Sequence, residues 1–92
     1  MMPTIRHEPA ARRFAADVDG AEAFISYRER PGRVLDFKHT YVPPTARGGG
    51  IASQLAAHAL TFAGDGGYKV VPSCPFVAVY IERHQEYRDL LA

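Results

Sequence analysis

The sequence has one cysteine, Cys74, and no tryptophan. A single thiol cannot close an intrachain disulfide, so packing alone must hold the fold, and the reducing cytoplasm is the expected compartment. Long apolar runs are missing as well. No stretch reaches the ~18 residues of a candidate spanning helix, and the opening "MMPTIRHEPAARRF" lacks a signal-peptide run. Neither sign of charge dominates: 11 Lys and Arg stand against 10 Asp and Glu. That balance argues against a nucleic acid or a membrane surface as partner, because both select a basic excess. Repeats, linkers and low-complexity segments are absent. The 4 histidines and the lone cysteine show no metal-ligand spacing, so no metal site is expected. What is present is a 47% hydrophobic share over 92 residues. That describes one small domain, residues 1–92, with enough apolar surface for a core.

Local patterns divide the chain into seven elements. "TIRHEP" alternates and reads as a first, edge strand. "RRFAADV" places Phe14, Ala16 and Val18 on one face, and Asp19–Gly20 supplies the residues of a type I′ hairpin turn. "AEAFISYRE" continues with Ala21, Ala23, Ile25 and Tyr27 at period two, and "RPGR" turns the chain again. "RVLDFKHTYVP" is the longest strand candidate. Its alternation puts Leu35, Phe37, His39 and Tyr41 on one face, and Asp36, Lys38 and Thr40 on the other. A helix is expected from Ala46 to Ala63, with Ile51, Leu55, Ala59 and Phe62 on its apolar face. "YKVVPSC" reads as a short strand, and a second helix begins at Pro75, with a break near His84 to Glu86. The order β-β-β-β-α-β-α gives an α+β fold: a four-stranded antiparallel meander, a crossover helix, a parallel fifth strand and a C-terminal helix. Parallel strands that end beside a helix N-terminus form a natural ligand crevice.

That helix opens on three glycines, Gly48, Gly49 and Gly50, although each costs about 1 kcal/mol against alanine inside a helix. One reading is conformational: a tight turn after Pro43 and Pro44. The other is chemical. The first helical turn has unpaired N–H groups at the positive end of the macrodipole, and glycines let an anion approach them. Arg47 adds a permanent charge at the lip. No Gly-Lys-Ser/Thr follows, so this is not an ATPase loop. The strand before it belongs to a meander, so it is not a dinucleotide fingerprint.

The run Arg47-Gly48-Gly49-Gly50-Ile51-Ala52 resembles the Gln/Arg-x-x-Gly-x-Gly/Ala loop of the GNAT N-acetyltransferase superfamily. The wider stretch from Asp36 to Leu91 is similar to small, cysteine-bearing, single-domain GNAT-like proteins. The resemblance implies a minimal GNAT fold and acetyl-CoA as ligand, with its pyrophosphate on Arg47, Gly48, Gly49, Gly50, Ile51 and Ala52. It also implies that the pantetheine arm lies along the preceding strand, with Tyr41 and Val42 as backbone partners. A helix terminus and one arginine contribute roughly 2–4 kcal/mol, whereas micromolar binding needs about 8 kcal/mol. The arm must therefore supply the rest. Larger members of the superfamily have two helices after the first strand and a closing strand pair. Neither fits in this chain, and much of their acceptor site goes with them.

Cys74 falls at the start of the second helix, where thiols hold more thiolate at neutral pH. It is read either as a buried small hydrophobe or as the nucleophile that the resemblance implies. His39 lies about 13 Å back along an extended strand from Pro43, similar to the reach of a pantetheine arm. It is read as a general base or as a packed strand residue. His7, His58 and His84 are expected in solvent, Lys69 and Arg83 as surface charges, and Tyr80 in the core. The expected function is transfer of an acetyl group from acetyl-CoA to an unidentified amine, directly or through Cys74. The alternatives are a non-catalytic coenzyme A-binding module and a small interaction domain. A monomer or weak homodimer is expected.

Overall fold

A computed structural model describes residues 4–92. Strands β1 (Ile5–Glu8), β2 (Arg13–Val18), β3 (Ala21–Arg30) and β4 (Val34–Tyr41) form an antiparallel meander. Helix α1 (Ile51–Asp65) crosses over to β5 (Lys69–Pro72), which pairs with β4 in parallel, and α2 (Pro75–Arg83) follows. The sheet order is β1-β2-β3-β4-β5, as the sequence implies. Asp19 and Gly20 join β2 to β3 with φ of 50° and 80°, the left-handed pair that a type I′ turn demands. The last helical segment breaks at His84, and a 3-10 turn runs from Gln85 to Leu90.

One face of the sheet carries the core. Phe14, Ala16, Ala23, Ile25, Tyr27, Leu35 and Phe37 meet Ile51, Leu55, Ala56, Ala59, Leu60 and Ala63 of α1 in a single buried cluster. Three of the helix residues are alanines, which leave little side-chain bulk between helix and sheet. Val77 and Ile81 of α2 join the same cluster, so both helices cover one face. Each large side chain buried there contributes about 1.5–3 kcal/mol.

Among the described residues, no helix covers the opposite face. On its β1–β2 side, Arg6 pairs with Glu8, Asp17 and Glu22, and Arg13 with Glu8 and Glu22. Ala15 is fully buried in their midst. Such exposed pairs add little net stability, so this lattice shields the sheet more than it stabilises it. On the β5 side, Leu91 forms a parallel bridge to Val70, and the Ala92 N–H donates to the Val70 carbonyl at 3.0 Å.

Two expectations are corrected. Helix α1 begins at Ile51, five residues beyond Ala46. Pro44–Ala46 form a separate 3-10 turn, and Gly48 and Gly50 have φ of 87° and 82°, which ends any continuous right-handed path. The second correction concerns β4. Tyr27 pairs with Phe37, but its neighbour Ser26 pairs with His39, so Lys38 is an extra residue, a β-bulge. A bulge turns over every side chain beyond it. Leu35 and Phe37 face the helices as expected, but Thr40 joins them there, while His39 and Tyr41 turn to the outer face.

Candidate functional site at the glycine turn and the strand fork

Helix α1 begins without a side-chain cap; its N-cap is Gly50 itself. The first backbone bond back into the turn runs from Gln54 N–H to the Gly50 carbonyl at 3.1 Å. The N–H groups of Gly48, Gly50, Ile51, Ala52 and Ser53 have no backbone acceptor among the described residues. A Cβ placed on Gly48 or Gly50 meets nothing within 4 Å. Space therefore exists on both, but their positive φ keeps L side chains out of it. The result is a cleft of about 260 Å³ lined by Val42, Ala46, Arg47, Gly48, Gly50, Ile51, Ala52, Ser53 and Phe76. Ser53 and Phe76 were not among the residues singled out from the sequence. Ser53 follows from helix geometry, since it holds the third orphan N–H; Phe76 is brought in only by the tertiary fold.

Arg47 lines this cleft, yet its Nε donates to the Val42 carbonyl at 3.0 Å. That bond ties the turn to the end of β4 and leaves the terminal guanidinium nitrogens for a ligand. It also occupies one of the two backbone groups expected to pair with a ligand arm. Tyr41 remains exposed at the strand end.

The register of β4 with β5 ends at Phe37↔Pro72, whereas β4 stays paired to β3 as far as Tyr41. The two parallel strands fork there. The Cys74 N–H donates to the Phe37 carbonyl at 2.8 Å and fixes the crotch of the fork. Cys74 is the N-cap of α2, with Pro75 in its first turn, as the sequence indicates. Cys74 is only 4% exposed, and its sulfur lies 3.3 Å from the Thr40 hydroxyl. Thr40, missed in the sequence, therefore stands where His39 was expected. His39 is exposed on the outer face, its ring 6.1 Å from Phe24. The structure brings Cys74 to the fork and the glycine turn beside it, and leaves His39 on the other side of the sheet from the thiol.

Asp36 sits beside the fork, 2% exposed, with its Oδ2 2.7 Å from Arg30 Nη2. Burial pushes its pKa up, but Ser73, the Arg30 charge and Lys38 outweigh that, and the net shift is downward. His7 is half-buried rather than solvated. It stacks on Phe14 at 4.3 Å, contacts Phe62 at 4.5 Å, and its Nε2 is 2.6 Å from the Tyr27 hydroxyl. Burial lowers its pKa, and nearby His58 lowers it further. His84 is half-buried too, stacked on Tyr80 at 4.0 Å. Among the described residues no helix is long and apolar enough to cross a membrane, and no three His, Cys, Asp or Glu side chains cluster as metal ligands.

A mixed sheet whose parallel pair forks beside a glycine-led helix is an N-acetyltransferase-type fold. The solution structure of a GCN5-like protein from Staphylococcus aureus shares it, with a TM-score of 0.72 over 97% of this chain and 87% of that one, at 22% identity. The model of the GCN5-related N-acetyl-transferase family matches residues 13–90, and the chain belongs to that family. Protein NATD1 of Mus musculus is 30% identical over 82 residues, covering 87% of this chain and 74% of the relative. Protein NATD1 of Homo sapiens is also 30% identical over 82 residues, with 87% and 73% covered.

Proposed function

We propose that this domain binds acetyl-CoA and transfers its acetyl group to an amine. The observation that carries this is the glycine cleft. Five backbone N–H groups without backbone acceptors, at or beside a helix N-terminus, suit a diphosphate. The cleft also reaches Val42 and Phe76, each two residues from the touching pair Thr40 and Cys74. The open edge of β4 beyond Phe37 offers backbone groups to an arm with amides, in the manner of strand addition. Acetyl-CoA, when bound, supplies the activated acyl group as a thioester. Gly48 to Ser53 hold its negative end, Arg47 neutralises charge, and the fork positions the acyl group. Thr40 orients the Cys74 sulfur, which either bonds to the acetyl carbonyl carbon while the bond to the CoA sulfur breaks and the thiol proton passes to that sulfur, and then yields the acetyl group to the amine as the free thiol, or stands beside a direct transfer.

Calorimetry with acetyl-CoA should register binding, and ligand at 100 times its Kd should add about 2.7 kcal/mol of stability. Mass spectrometry after incubation should find one acetyl group on Cys74. An unmodified thiol in protein that still acetylates amines rules out the covalent route. A second reading has a specific observation in its favour: Cys74 is buried and Thr40, not a base, is its side-chain hydrogen-bond partner. That arrangement suits a coenzyme A-binding module without transfer. Binding with no release of free CoA, with or without amines, would select it.

A further inference from the structure

The glycine cleft is bounded by α1 and by Phe76 of α2, and both helices lie on one side of the sheet. A donor seated there takes up the helical side of the fork. The second substrate is left the outer face, where β3 and β4 present Phe24, His39 and Tyr41, the His39 ring 6.1 Å and the Tyr41 ring 5.8 Å from that of Phe24. This face is divided by charge. On the β1–β2 side both arginines, Arg6 and Arg13, are matched by carboxylates. Beside the fork the carboxylate of Asp36 is taken by Arg30. Arg28, paired in register with Asp36, and the bulge residue Lys38 are exposed and have no ion pair among the described residues.

We infer that the acceptor is an amine that also carries a fixed negative charge, a phosphate or a carboxylate, held by Arg28 and Lys38 at the outer mouth of the fork. The inference rests on the transferase reading above. Two unmatched cations attract such a molecule and repel one whose only charges are ammonium groups. They also favour the neutral form of the incoming amine, which is the form that attacks. In the transfer the amine nitrogen forms a bond to the acetyl carbonyl carbon and the carbon–sulfur bond breaks. One proton of the original ammonium goes to the departing thiolate and one to solvent.

The test uses the full chain and a matched pair of amines, phosphoethanolamine and ethylenediamine, with β-alanine separating carboxylate from phosphate. With acetyl-CoA, CoA release should be at least about tenfold faster for the anionic amines, and the preference should fall as salt rises. In CoA-loaded protein the anionic amines should shift the resonances of Phe24, His39 and Tyr41, and ethylenediamine should not. The double variant Arg28→Glu/Lys38→Glu should abolish or invert the preference while binding acetyl-CoA as before. Equal or reversed preference in the native chain overturns the inference. So does an unchanged preference in the variant, or the absence of outer-face shifts with every anionic amine. If acetyl-CoA itself gives no heat, the transferase reading fails separately, and the resonance shifts in free protein still decide whether this face takes an anion.

Discussion

The two halves of β4 obey opposite rules. From Val34 to Phe37 the strand is paired on both edges, to β3 and to β5, and its side chains face as simple alternation demands. From His39 to Tyr41 it is paired only to β3, and every side chain is turned over. The first half is architecture: Leu35 and Phe37 are buried in the core. The second half is a free edge beside a thiol. One inserted residue, Lys38, separates them. The contrast shows how a sheet can keep a fixed core and still open a working edge within a single strand.

The strongest test of the contrast attacks the first half. Phe37→Ala should lose about 3–5 kcal/mol, read by urea denaturation, and in a domain this small that approaches the whole stability. Next comes the turn that receives the second half. Gly50→Ala forces a left-handed non-glycine residue, at about 1–2 kcal/mol, and should weaken acetyl-CoA binding by calorimetry by about tenfold or more through lost N–H contacts. The third test separates the residues on either side of the turned-over strand. Thr40→Val should change the rate of Cys74 alkylation by about 2- to 10-fold, the value of one hydrogen bond. His39→Ala should leave that rate within about 2-fold, as for an exposed site. Equal effects of the two would put both side chains in the same relation to the thiol.

The smallest effect concerns pH. Tyr27, the partner of Phe37 at the bulge, is bonded to half-buried His7. The folded pKa of His7 lies below its ordinary value of 6.5, first because of burial. The unfolded chain therefore takes up its proton more readily. Stability from this site is complete above pH 6.5, falls as pH drops below it, and levels off beneath the folded pKa. Asp36 has its folded pKa lowered instead, so its contribution persists well below that range and is lost only as pH falls through the folded carboxylate pKa. Replacing His7 by phenylalanine should remove the upper, near-neutral part of the acid dependence in thermal melts.

Much of this was legible in the chain. Period-two alternation, the Asp19–Gly20 turn and the apolar stripe of α1 are local signals, and each produced its element. Cys74 before Pro75 likewise marked a helix start. The bulge was not legible, because Lys38 carries no glycine or other local mark; it arises from long-range pairing of β3 with β4. That single hidden residue exchanged Thr40 for His39 at the thiol. The burial of His7 was equally invisible, since Phe62 comes from α1, far away in sequence. The late start of α1 could have been read. Glycines at Gly48 and Gly50 were weighed for what they admit, and their left-handed geometry also forbids a helix through them.

The bridge from Leu91 to Val70 has a further consequence. A sheet invites other chains along whichever rims are bare. Here Leu91 and Ala92 already occupy part of the rim at β5, with the Val70 carbonyl spent on the Ala92 N–H. An incoming strand would first have to evict them, so that stretch of rim resists recruitment of a neighbour.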